Sequence, residues 1–147
     1  MAWKKLMCPI DFSSGSQEAF TTAITMAKST DAELVLVHVW SPPVFSMGEG
    51  VAFAADMIGQ MIKDAEAGLA QWKADAEKRG AQRVTTLFFT GAPWHEIVGA
   101  AKQDPSIDLI VIGTHGRTGL KHVLLGSVAE KVVRHSPCAV LVVRARD

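Results

Sequence analysis

The stretch richest in chemistry runs Gly113-Thr-His-Gly116-Arg-Thr-Gly119-Leu-Lys-His-Val-Leu-Leu-Gly126-Ser127. Gly113 closes an apolar run, Gly116 follows three residues on, and Gly126-Ser127 opens a helical run ten residues after that. Glycines without a Cβ let a backbone turn tightly and approach a ligand closely. Successive loop N–H groups can form a concavity for anions. A helix starting near Ser127 would add N–H donors and the positive end of its dipole. Phosphate oxygens suit all three. The same residues also admit a structural reading, because loops need glycine, and Ser127 with Glu130 three residues later makes a capping box. No Gly-Lys-Ser/Thr ends the stretch, so it is not a Walker A loop, and it is not the dinucleotide Gly-x-Gly-x-x-Gly either.

The elements that must position this loop are legible as short apolar runs alternating with helical patterns. Trp3–Ile10 reads as a first strand ending at Asp11, followed by turn and capping chemistry in Ser13-Ser14-Gly15-Ser16. Ala19, Phe20, Ala23, Ile24 and Ala27 then recur at helical spacing. Glu33–Trp40 is a β-branched second strand, and Ser41–Gly50, with Pro42, Pro43, Gly48 and Gly50, reads as irregular. A long helix is expected from about Ala54 to Lys78. Its apolar face is Met57, Met61, Ala65, Leu69, Trp72 and Ala76, and the Met57/Met61 stripe reads as core packing rather than a binding groove. Arg83–Thr90 is the third strand, Pro93 opens the next helix, and Asp108–Gly113 is the fourth strand. A helix over Ser127–His135 and a fifth strand at Cys138–Val143 complete the chain.

This alternation predicts an α/β fold: one domain over residues 1–147, with a doubly wound five-stranded parallel sheet and helices on both faces. A strand order of 3-2-1-4-5 puts the switch point between strands one and four, where such sheets bind ligands beyond their carboxyl ends. The crevice would be lined by Pro9–Ser14 and Gly113–Gly119. Cys8 and Cys138 would then lie two strand spacings apart, ~9–10 Å, too far for a disulfide. Both read as free, buried small hydrophobes.

Fifteen basic and fifteen acidic residues cancel, which argues against nucleic acid as a partner. The apolar runs are strand-sized and no signal-peptide core is present, so no membrane association and a cytoplasmic location are expected. The histidines at 38, 95, 115, 122 and 135 lack metal-site spacing.

The pattern Gly113-x2-Gly116-x9-Gly126-Ser127 resembles the nucleotide motif of the universal stress protein family, in its ATP-binding subgroup. Met7-Cys-Pro9-Ile-Asp11-Phe-Ser13, the run from Asp108 to Gly119 and the closing Ser136-Pro-Cys-Ala-Val-Leu-Val-Val are similar to that family's segments, so the likeness spans the chain. The resemblance implies an ATP-binding, stress-associated regulatory or signalling protein with slow or partner-dependent hydrolysis, and ATP as ligand with or without Mg2+. Asp11 would bind the ribose hydroxyls, and Pro9 and Val39 would flank the adenine. Ile112 and Gly113 would underlie the nucleotide, and Gly116, Gly126, Ser127 and Val128 would receive the phosphates. Arg117 would reach the outer ones.

The alternative is an ATP-hydrolysing or nucleotide-transferring enzyme, its chemistry resting on Asp11, His115 or Arg117. A phosphorelay receiver is disfavoured because strand three ends Phe88-Phe89-Thr90 rather than in an aspartate. A flavodoxin-like fold using Ser13–Ser16 leaves the later glycine spacing unexplained. Ala139–Val143 is too apolar for an open sheet edge, which predicts a homodimer through the fifth strand, as the resemblance also implies, beside an unidentified protein partner.

Overall fold

The computed structural model describes residues 3–42, 51–114 and 125–145. Its elements alternate throughout: β1 (Lys5–Pro9), α1 (Ser14–Thr30), β2 (Glu33–Trp40), α2 (Val51–Lys78), β3 (Val84–Thr90), α3 (Pro93–Gln103), β4 (Leu109–Gly113), α4 (Ser127–His135) and β5 (Ala139–Val143). The strands are all parallel, as the alternating pattern predicts, and they pair in the expected order β3-β2-β1-β4-β5. Helix α2 begins at Val51, slightly earlier than its apolar periodicity suggests.

Each face of the sheet has its own core. On one, Leu6, Cys8, Leu34, Leu36, Leu109 and Val111 pack with Phe20, Ile24 and other residues of α1, and with Leu69 and Ala76 of α2. On the other, Met7, Val35, Val37, Ile110 and Ile112 pack with Ile97, Val98 and Ala101 of α3 and Val132 of α4. The period-2 alternation of side chains sends successive residues of β1 to opposite cores, which is why its run is apolar without interruption. Among the described residues, no helix is long and apolar enough to cross a membrane.

Both thiols are free. Cys8 is fully enclosed, and burial pushes its thiol up to about 12. Cys138 is only half-buried, a departure from the buried expectation, because it precedes the edge strand β5 instead of sitting within the sheet.

The Met57/Met61 reading needs a larger correction. Both residues are 40% exposed, and burial along α2 starts at Leu69 among residues with described side chains. The helix has 28 residues, ~42 Å at 1.5 Å per residue, whereas the seven residues of β3 span only ~23 Å. The first half of α2 therefore overhangs the carboxyl ends of the strands. Periodicity identifies the apolar stripe, but not how much of it lies over the sheet.

At that same end β4 and α1 come into backbone contact. A Cβ on Gly113 would lie 2.6 Å from the Gly15 carbonyl oxygen, well inside van der Waals contact with a group that has little freedom to move. Gly113→Ala should therefore destabilise the protein by ~1–3 kcal/mol. Urea denaturation checks this, and wild-type stability would mean that α1 can retreat from β4 without loss.

Candidate functional site

The chain leaves β1 through Ile10, whose N–H still reaches Val37 O at 2.8 Å, and then turns at Asp11. Asp11 organises the start of α1. Its N–H donates to Ser16 Oγ at 2.8 Å, and its Oδ1 accepts from Ser13 N at 3.0 Å and from the Ser13 and Ser16 hydroxyls. Ser13 is the N-cap and accepts from Ser16 N. Two N–H groups of the first turn of α1 are thus taken up by Ser13, Ser16 N by its hydroxyl and Gln17 N by its carbonyl, and the strand order 3-2-1-4-5 departs from the flavodoxin-like 2-1-3-4-5.

Phe12 follows with a left-handed backbone, φ 65°, rare for an aromatic residue. Its ring lies 4.6 Å from that of His38 and 5.6 Å edge-on from Trp72, and a Cβ on Gly68 would come within 3.2 Å of it. The missing side chain at Gly68 lets α2 close on Phe12. His38 is buried, and its Nδ1 lies 2.8 Å from Ile10 O. A carbonyl oxygen can only accept, so Nδ1 carries the proton, and His38 ties β2 to the end of β1. This is the structural role expected of a buried histidine.

Across the switch point, Thr114 N donates to Val143 O at 3.0 Å and Gly126 N donates to Thr114 O. The first bond ties the end of β4 to β5, and the second pins together the two ends of the glycine-spaced stretch. The N-cap of α4 is Gly126, with Ser127 as the first helical residue and no side-chain cap bond. The expected capping box does not form: Glu130 instead accepts from Arg134 at 2.9 Å, one turn further along. A helix leaves its first-turn N–H groups without intrahelical acceptors. Among the described residues no side chain caps α4, whereas at α1 the Ser13 side chain accepts from Ser16 N.

Between these walls lies a cleft of about 730 Å³, within the size range of small-ligand sites. Of the residues expected to bind a ligand, Pro9, Asp11, Val39, Ile112, Gly113, Gly126, Ser127 and Val128 all line it. Gly116 and Arg117, with His115, lie outside the described residues. Helix α2 supplies a wall that the periodicity reading missed, through Met61, Asp64, Ala65 and Gly68. Their three- and four-residue spacing puts them on one helical face. Among the described residues the lining holds two carboxylates, Asp11 and Asp64, and no lysine or arginine. No group of three or more potential metal ligands occurs among the described residues.

The model of the universal stress protein family matches residues 2–144. The chain belongs to that family. Universal stress protein MJ0531 of Methanocaldococcus jannaschii is 40% identical over 97% of this chain and 82% of its own length. Among solved structures, the universal stress protein UspA from Lactobacillus plantarum is 29% identical, with a TM-score of 0.87, and covers 98% of this chain and 99% of its own. A universal stress protein solved in complex with cAMP is 25% identical, with a TM-score of 0.73, over 99% of this chain and all of its own.

The Asp11 network generates a stability prediction for this family member. Asp11→Ala removes the acceptor of three hydrogen bonds, two of them from serine hydroxyls, and should cost ~1–3 kcal/mol by the usual balance for lost partners. Asp11→Asn, which keeps one acceptor oxygen, should cost less. Equal urea midpoints for wild type and both variants would show that the network contributes nothing to folding.

Proposed function

We propose that this universal stress protein is a regulatory module that binds ATP in the cleft between β1 and β4 and hydrolyses it slowly or only with a partner. The observation that carries this reading is the α4 N-terminus, which lines the cleft through Gly126, Ser127 and Val128 beside Gly113, with no side-chain cap among the described residues. Such a terminus presents N–H donors and the positive end of a helix dipole, the complement of a phosphate. The relative solved with cAMP supports a nucleotide in this fold.

On this reading main-chain groups near Val39 contact the base, Pro9 and Ile112 pack against the nucleoside, and Asp11 accepts from the ribose. The N–H groups of Ser127 and Val128 take phosphate oxygens beside Gly113 and Gly126, and Gly116 and Arg117 belong to the segment that would complete the phosphate end. Mg2+ carried by ATP would neutralise phosphate charge. A binding role is favoured over the enzymatic alternative because Asp11 Oδ1 is already engaged by three donors, a poor arrangement for a general base. The free thiols suit a reducing compartment such as the cytoplasm.

A helix accepts proline at its first position, and Gly126 has the extended backbone, φ −66° and ψ 163°, that a residue before proline needs. Ser127→Pro therefore deletes one N–H donor while leaving α4 intact, and Ser127→Ala deletes only the hydroxyl. Isothermal titration should show ATP binding by wild type, weakened at least about tenfold by Ser127→Pro, the worth of one charge-assisted hydrogen bond. Ser127→Ala should weaken it less. No binding by wild type, together with no nucleotide released from freshly purified protein on mass spectrometry, would overturn the reading.

The second part of the proposal is a homodimer through β5. Among the described residues this strand pairs with β4 alone, and it exposes Ala139 and Leu141, the latter by 37%. Unpaired apolar edges favour association. Sedimentation should give a dimer at micromolar concentration and a monomer for Leu141→Lys. A monomeric wild type would sink this part alone.

A further inference from the structure

Among the described residues, the overhanging half of α2 buries no side chain before Leu69. Met61, Asp64, Ala65 and Gly68 turn toward the cleft, and Met61 remains 40% exposed there. Gly68 is held against Phe12, the residue after Asp11, so Asp64 stands one turn outward of the point where α2 meets the end of β1. Gln60 Nε2 donates to Asp64 Oδ1 at 2.8 Å, a bond that orients the carboxylate along the helix. Helix α2 packs on β2 and β3, whereas α4 packs on the opposite face of the sheet and against α3. Asp64 and the N-terminus of α4 therefore line the cleft from opposite faces of the sheet, and Asp11 lines it from the end of β1.

That arrangement gives the cleft an electrical polarity. One end offers N–H donors and the other offers two carboxylates, with no lysine or arginine among the described lining residues to offset them. A nucleoside with free hydroxyls can donate hydrogen bonds to carboxylates, but a phosphoryl group on the ribose brings a like charge and removes a donor. We infer that Asp64 is a specificity-determining residue that, with Asp11, selects nucleotides whose ribose 2′ and 3′ hydroxyls are both unmodified and rejects 3′-phosphorylated or 3′,5′-cyclic ones. The inference rests on the nucleotide reading above.

The test compares dissociation constants of AMP and 3′,5′-cAMP for wild type and Asp64→Asn, at low and high salt. Asp64 is exposed, so the substitution leaves folding intact, which circular dichroism checks. Wild type should prefer AMP, and Asp64→Asn should shrink that preference by about tenfold, as expected when one nearby like charge is removed. The wild-type preference should also weaken as salt rises, and that of the variant should respond less. Equal preferences in the two proteins, or an equal loss of both ligands in the variant, would overturn the role of Asp64 and leave the nucleotide reading standing. Failure of wild type to bind either ligand would overturn both.

Discussion

Strand β1 sits between β2 and β4, and its residues Leu6, Met7 and Cys8 are entirely enclosed by the two cores. A strand in that position can extend only while both neighbours accept its hydrogen bonds, and Pro9 ends that condition on one side. Ile10 directs its N–H toward β2, so the donor missing at Pro9 is the one that would have faced β4. Pairing of β1 with β4 accordingly stops at Met7 and Ile110, while β4 continues to Gly113 and β2 continues past Val37 to Trp40. The two flanking strands outrun the central one. The gap above the end of β1 is the cleft, and it exists because the most buried strand of the sheet is also among its shortest.

Everything that gives the cleft its chemistry follows from how the chain leaves that gap on each side. Leaving β1, the backbone turns through Asp11, whose carboxylate is spent largely on starting α1. Leaving β4, it passes Thr114 and returns at Gly126, the two joined by a hydrogen bond, so α4 starts close to where β4 ended. One helix start carries a side-chain cap, and the other has none among the described residues. The site is therefore asymmetric before any ligand is considered, with negative groups near β1 and α2 and donor groups near α4. An extended, polar molecule with an anionic end fits that asymmetry better than a compact or uniformly charged one.

The sheet was readable because buried parallel strands leave an unambiguous signal: short β-branched runs such as Leu34–Val37 and Leu109–Ile112, bounded by polar or turn residues. Eight of the ten residues expected to bind the ligand fall in the cleft for the same reason, since strand ends are where the topology concentrates functional groups; the other two, Gly116 and Arg117, lie outside the described residues. Besides the burial of Cys138, two readings of helix pattern failed, and for related reasons. Met57 and Met61 carry the same helical spacing as Leu69 and Ala76, but spacing says only that residues share a face, not what lies opposite. Ser127 and Glu130 carry the spacing of a capping box, but the helix begins with Gly126 as its cap, which shifts Ser127 inside the first turn. In both cases the periodic pattern was correct and its origin along the chain was not. Asp64 was missed on the same account, because a carboxylate on a helix assigned to the core reads as a solvated face. The comparison of helix and strand lengths, 28 residues against at most eight, was the available signal that part of α2 must project beyond the sheet.

Phe12 shows how this projection is held in register with the rest of the site. A left-handed backbone at a residue with a Cβ costs roughly 1–2 kcal/mol, and only surrounding contacts can sustain it. Those contacts come from His38, fixed to Ile10 O, and from Trp72 on α2, with Gly68 providing the space. The strain thus sits where three elements converge: the end of β1, the end of β2 and the middle of α2. Turning Phe12 into an ordinary backbone conformation would move its ring away from α2 and would also displace the neighbouring Asp11 peptide. The position of the Asp11 carboxylate and the closeness of the α2 wall are consequently set by one residue, and neither can change without the other. That coupling explains why an aromatic side chain, rather than the glycine its dihedral angle would favour, occupies the position directly after Asp11.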